Sequence, residues 1–332
     1  MKAGVLGLVL AGLVGGLVLS RGKSEPTIFR QSQFLLDTFV EIMVVASDEQ
    51  DAQKAMAAAY TEMRRVEALT SRYQPESPLA HINQRAGSGQ FTPVPDEVHD
   101  LLQRSVAYSV MTDGAFDPTV GALIEAWGIG TEQERVPAEA ALQQLLPAIG
   151  SSHVELDNEQ GVRLRDPQTR LDLGAIAKGY SVDRGIAVLQ RHQMTNALVN
   201  AGGDIRCIGV KPDGMPWRVG IQHPRESEIL GVLELQERAV ATSGDYERYF
   251  MQEGVRYHHI LVPQTGRPAR GCQSVTILAD TAEAADAFAT AVFIMGPEHG
   301  LTFIEAQDEI EGLIISADGT LIPSSGFSLK AR

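Results

Sequence analysis

The spacing of apolar positions changes period repeatedly along the chain. Residues 33–46 (QFLLDTFVEIMVVA) are dense in β-branched and apolar side chains and predict a strand. From Asp48 to Tyr73 the period lengthens to that of a helix, with Ala55, Ala59, Met63, Val66 and Leu69 on one stripe. Pro75, Pro78 and the stretch 87–95 predict a loop, and residues 96–111 and 137–149 return to helical spacing. VELDNEQGVRLRD predicts a hairpin turning at 158–161. A strand then ends near Leu171, and a helix runs from about Ile176 to Gln193. ALVNAGGDIRCIGV, WRVGIQHP and GVLELQERAVATSG follow as strands broken by glycine. SVTILA leads into a helix with Asp280 as its N-cap and Glu283 three residues on, continuing to Gly296-Pro297. GLIISADGTLIPSSGF closes the chain as a hairpin. Helices and strands mix without regular βαβ alternation, which predicts an α+β fold of mixed, mostly antiparallel sheets packed with helices.

The N-terminus departs from this pattern. After Lys2, residues 3–19 form an uninterrupted apolar run of 17 residues ending in Val18-Leu19-Ser20. That is the composition of an export signal or a short membrane anchor, and both readings stand. Arg21 and Lys23 directly after it favour a retained or slowly cleaved anchor, and no cysteine nearby offers a lipid attachment point. The expected organisation is a signal or anchor with linker over residues 1–24, then one catalytic domain over 25–332. The protein is expected outside the cytoplasm, in the periplasm or on the outer face of the cytoplasmic membrane.

Without residues 1–24 the chain carries 25 basic against 42 acidic side chains, a net charge of −17. Such a body repels nucleic acid, which is excluded as a partner, and a phosphate-bearing substrate needs local positive charge to enter. The two cysteines, Cys207 and Cys272, sit in strand-like contexts and read as two small buried side chains rather than a disulfide. The eight histidines show no metal-ligand spacing. His258 and His259 are adjacent on a predicted strand and so point to opposite faces, leaving at most one for a given site.

Two stretches carry candidate chemistry. In LDLGAIAKGYSVDRG, a strand ends and a helix begins at a turn of small residues, where backbone N–H groups can face an anion. Asp172 and Lys178 flank that turn and can reach one cavity from opposite sides; a strand-ending Asp and a solvated Lys is the plainer alternative. In DTAEAADAFATAVFIMG, Asp286 is the sole charge between Ala284 and Gly296, and Thr290 lies one turn further on the same face. A carboxylate in so apolar a helix is costly unless compensated, and a hard divalent cation such as Mg²⁺ would compensate it. The alternative is an exposed Asp286 with Thr290 bonding back into its own helix.

Eight ordered stretches resemble the ApbE family of FAD:protein FMN transferases: DTFVEI, SRYQPESPLAHIN, DGAFDPTVG with the following WGIG, DLGAIAKGY, NAGGDI, ATSGDY, YHHILVPQTGRP and DAFATAVFIMG. The resemblance spans roughly residues 33–328. It implies a T-fold-like flavin transferase architecture and Mg²⁺-dependent transfer of FMN from FAD to a Thr or Ser hydroxyl of a partner flavoprotein, with release of AMP. It implies Asp286, Thr290 and the backbone carbonyl of Ala175 as magnesium ligands. Tyr73, Ala115, Phe116, Asp117, Asp172, Lys178, Ile260 and Leu261 fall where the family contacts FAD, and His259 is the implied general base. Two positions depart from the family pattern. Leu36-Asp37-Thr38 replaces Met-Gly-Thr, keeping an apolar contact for the flavin ring at Leu36, and Val262 replaces the aspartate of the His-Ile-Ile-Asp-Pro run. The rival readings are an FAD pyrophosphatase that releases FMN and AMP, and an exported flavin-binding protein without catalysis.

Overall fold

A computed structural model describes residues 25–330. The expected signal or anchor over residues 1–24 lies outside the described residues.

The expected single strand over 33–46 is instead a hairpin. Strand β1 (Thr27–Leu35) turns back at Leu36-Asp37 into β2 (Thr38–Ala46), with Leu35 opposite Thr38. Both turn residues are left-handed, with φ of 57° and 56°. A two-residue turn of this kind usually carries Asn-Gly or Asp-Gly, because side chains at positive φ are strained. Leu-Asp hides the signal. The turn is held by the Glu67 carboxylate, which accepts from the Leu36 N–H at 3.0 Å.

Among the described residues eight strands form one antiparallel sheet in simple chain order. After β1 and β2 come β3 (Ala197–Ala201), β4 (Asp204–Ile208), β5 (Ala239–Gly244), β6 (Cys272–Ala279), β7 (Glu311–Ser316) and β8 (Leu321–Pro323). The stretch expected as one glycine-broken strand, 231–244, divides: Ile229–Leu235 pairs with Trp217–Gln222 as a separate hairpin, and only Ala239–Gly244 joins the sheet.

Helices α1 (Glu49–Thr70), α6 (Ala177–Arg191) and α7 (Ala282–Glu305) cover one face of the sheet. Val40, Ile42, Val44 and Val199 meet Ala55, Ala59, Met63, Val182 and Ile186 there, and Val275, Ile277 and Ile314 meet Ala289, Val292 and Phe293. The Trp217–Leu235 hairpin covers the other face through Trp217, Val219 and Leu233 against Leu198 and Cys207. Both cysteines are free and buried, as the sequence predicts.

Two short helices, α2 (Pro78–Gln84) and α4 (Gly121–Trp127), join α3 (Asp96–Met111) and α5 (Glu139–Leu145) at one end. Helix α2 falls where a loop is expected. Ser77 caps it by accepting from the Ala80 N–H, and its proline occupies the first turn, where no N–H is needed. The α7 N-cap is Thr281, one residue beyond the expected Asp280, and its side chain accepts from the Ala284 N–H. Glu283 does not close a capping box; it forms a bidentate pair with Arg104. Gly296 breaks α7 with φ 79°, ψ 178°, and the chain resumes helix through Pro297 to Glu305 instead of stopping.

Candidate active site at one end of the sheet

Three chain segments meet at the same end of the sheet: the Leu36-Asp37 turn, the Gly202-Gly203 turn between β3 and β4, and the C-terminal end of β5. With the first turn of α6 and the middle of α7 they enclose a cleft of about 450 Å³, within the range of about 300–1,000 Å³ usual for a ligand pocket. All thirteen residues named from the sequence line it: Leu36, Tyr73, Ala115, Phe116, Asp117, Asp172, Ala175, Lys178, His259, Ile260, Leu261, Asp286 and Thr290.

At the cleft floor Asp286 is 5% exposed. Its Oδ2 accepts from the Gly179 N–H, in the first turn of α6, at 3.0 Å. One turn along α7, the Thr290 hydroxyl is 3.1 Å from the Ser243 hydroxyl of β5. The alternative of an exposed Asp286 and a back-bonded Thr290 is therefore excluded. Asp204, fully buried beneath the floor, pairs with Lys178. Burial, then the negative charge of Asp286, raises the Asp204 pKa well above the ordinary carboxylate value. Burial opposes the Lys178 ammonium, but Asp204 and Asp286 outweigh it and keep its pKa above that of a free lysine. Two buried carboxylates thus share one ammonium.

The turn before α6 is tightly organised. Asp172 Oδ1 accepts from the Gly174 N–H at 2.7 Å, and Oδ2 lies 2.8 Å from Arg72 Nε. Asn83 holds the strand end in place, donating to the Leu171 carbonyl at 2.9 Å and accepting from the Leu171 N–H at 2.7 Å. Neither Asp172 nor Lys178 is a bare charge; each has a long-range partner that local spacing does not reveal. The anion site expected at this helix start is also narrower than the sequence suggests. The Ile176 and Ala177 amides bond to the Leu173 carbonyl and the Gly179 amide to Asp286, which leaves those of Ala175 and Lys178 for a ligand.

On the opposite wall, the Asp117 carboxylate accepts from Thr119, Ser109 and the Ser151 N–H. Burial raises its pKa in spite of those bonds. It therefore fixes the 115–119 turn, and the ligand-facing groups there are Ala115, Phe116 and backbone. Arg72 stacks on Tyr73 at 4.5 Å, placing a half-free aromatic ring at the rim. Behind this wall Trp127 is buried with Leu123, Leu142 and Leu261, its indole N–H donating to the Gly266 carbonyl at 2.7 Å.

The two histidines diverge: His258 is the last residue of the strand Val255–His258, and His259 follows its end. His258 is in the core, with Nε2 bonded to the Ala269 carbonyl and its ring edge-on to Phe293. His259 lines the cleft, its Nδ1 3.2 Å from the Arg248 carbonyl. A carbonyl can only accept, so Nδ1 carries the proton and Nε2 keeps its lone pair. Desolvation, then the Arg248 charge, holds the His259 pKa down to about 4. Between pH 6.5 and 4 the unfolded histidine binds a proton that the folded one refuses, so this group lowers stability as pH falls through that window.

Residues that sequence reasoning passed over include Glu67, Arg72, Asp204, Ser243 and Arg248. Arg72, Asp204 and Ser243 stand inside motif stretches noted in the sequence, in SRYQ, NAGGDI and ATSGDY. Their chemistry shows only when strands distant in sequence are brought together.

A cleft that combines buried carboxylates, neighbouring hydroxyls, an ammonium and a neutral imidazole belongs to an enzyme that handles a charged group. The sequence profile of the ApbE family matches residues 36–314, and the chain belongs to that family. It is an enzyme of the transferase class. The FAD:protein FMN transferase of Treponema pallidum is 31% identical over 351 aligned residues, covering 100% of this chain and 95% of its own. That of Vibrio cholerae is 35% identical over 266 residues, covering 78% and 79%. The crystal structure of the ApbE protein from Thermotoga maritima matches with a TM-score of 0.84 at 36% identity, over 90% of this chain and 97% of that one.

Proposed function

We propose that this enzyme transfers the FMN part of FAD to a threonine or serine hydroxyl of a partner flavoprotein and releases AMP. The observation that carries the reading is the convergence of Asp286, Thr290, Lys178 and His259 on one cleft. The curated relatives' names supply FAD and a protein acceptor.

The donor set at the floor fits a hard dication. The Asp286 carboxylate and Thr290 hydroxyl, with the backbone carbonyl of Ala175 from the same cleft lining as the third candidate, are oxygen ligands of the kind Mg²⁺ takes. Two buried carboxylates served by one ammonium leave negative charge for such an ion to balance. When bound, the ion supplies Lewis-acid stabilisation of charge on the diphosphate.

The chain's own groups do the rest. Lys178 and the amides at the start of α6 give an acidic protein a local site for phosphate. His259 Nε2 takes the proton of the incoming hydroxyl, and the Arg248 carbonyl holds the ring in the required tautomer. Phe116, Ile260 and Leu261 supply apolar wall that keeps water away from the transferred group. The N-terminal apolar run supports a location outside the cytoplasm, with an acceptor subunit of a membrane or exported electron-transfer complex as the partner.

Incubation with FAD, Mg²⁺ and a threonine-bearing acceptor domain is expected to give a fluorescent acceptor band in a denaturing gel, together with AMP. AMP and FMN without a labelled band would mark a hydrolase, and neither product a binding protein.

A second expectation follows from the low His259 pKa. In wild type, kcat/KM should stay level from pH 8 down to about 5 and fall only as pH approaches 4. His259→Gln should lower kcat by about 10²–10³-fold and remove that acidic limb. A variant that keeps the wild-type limb would assign it to another group.

A further inference from the structure

Phe34 and Phe39 are 65% and 74% exposed at the tip of the β1–β2 hairpin. They face each other across the strands, with ring centroids 5.5 Å apart at an interplanar angle of 79°. Two phenylalanines left in water gain little for the fold, and exposed aromatics of this kind concentrate at interfaces. The turn that joins them, with Thr38, is part of the cleft wall. The patch therefore adjoins the cleft through this turn, with the two rings on the side of the hairpin opposite Leu35 and Val40.

The hairpin tip is also rigid. Glu67 holds the Leu36 N–H, the Tyr60 hydroxyl sits between the carbonyls of Gln31 and Val40 at 2.6 and 3.0 Å, and the Gly202 N–H donates to the Phe39 carbonyl at 3.3 Å. A prefixed aromatic pair costs a partner little ordering entropy.

We propose that Phe34 and Phe39 dock the polypeptide segment that presents the acceptor hydroxyl, taking apolar side chains that flank it. The inference rests on the transferase reading and names the recognition element of that same site. A hydroxyl bound for His259 enters through the cleft mouth, so the chain that carries it crosses the rim. β1 is the edge strand of the main sheet among the described residues, so its outer backbone lies beside the rings and suits an extended segment.

The test uses the double variant Phe34→Ser/Phe39→Ser and the acceptor domain that wild type labels in the experiment above. KM for the acceptor is expected to rise at least 10-fold, with kcat, FAD affinity and the slow release of FMN to water unchanged. Phe34→Leu/Phe39→Leu, which keeps apolar surface, should restore most of the loss. An unchanged KM overturns the docking surface and leaves the transferase reading standing. A parallel loss of FAD affinity also overturns it, because the pair would then be supporting the flavin site. Loss of self-association, or of binding to phosphatidylglycerol vesicles, with KM unchanged would assign the patch to a second copy or to a membrane instead. If wild type labels no acceptor, both readings fall.

Discussion

Asp286→Ala is expected to lower FMN transfer at least 10³-fold, about 4 kcal/mol of transition-state stabilisation, while the protein stays folded. The size of the effect comes from what the carboxylate does. It is the one anionic side chain in the middle of α7, it faces the cleft floor, and it stands beside Thr290 in the oxygen set that would hold the metal. Stability should change little, because two opposing contributions nearly cancel. The variant loses the hydrogen bond from the Gly179 N–H, worth about 1 kcal/mol, and is relieved of a second buried negative charge next to Asp204. Lys178 keeps its partner in Asp204. Thermal melts separate catalysis from folding: added Mg²⁺ and FAD should raise the wild-type Tm by mass action and leave that of the variant where it was. Transfer within 10-fold of wild type in Asp286→Ala would remove the carboxylate from the mechanism.

Gly179→Ala is expected to damage both stability and activity. A Cβ at this position would lie 2.1 Å from the Ala282 carbonyl oxygen and 2.9 Å from the Asp286 Cβ. The first contact is backbone, so no side-chain rotation can relieve it, and α6 and α7 must separate. Overpacking of this kind costs about 3 kcal/mol and about 6 °C in Tm. The same separation pulls the Gly179 amide from Asp286 and shifts the floor against the α6 turn, so activity should fall further than the lost stability explains. Assays well below the Tm distinguish the two effects. Gly185→Ala, further along α6 and away from the cleft, is the control, since its new Cβ meets only side chains, Met63 Sδ first at 3.2 Å. If Gly179→Ala melts like wild type, the close approach of the two helices is not what requires glycine there.

Much of this was legible in the chain. Helix α1 follows its apolar stripe, the hairpin at 154–164 falls where the turn residues put it, and the α+β character with antiparallel strands is evident from the irregular mixing of periods. Failures fall where local signals conflict with long-range ones. Leu36-Asp37 turns without turn residues because Glu67, 31 residues away, holds the backbone. α7 restarts at Pro297 because proline suits the first turn of a new helix as well as it ends an old one.

The sequence by itself determined the periods, the small-residue turn at 174–177, a lone carboxylate in an apolar helix and a histidine pair with one ring turned each way. Those are properties of neighbours along the chain, and they follow from covalent spacing and from the cost of burying charge. Only the tertiary structure decided which charges meet: Arg72 with Asp172, Lys178 with Asp204, Asp286 against the amide of Gly179. Each pair joins residues 26 to 107 positions apart. Coulombic and hydrogen-bond energies depend on distance in space, which the fold sets and local periodicity does not encode.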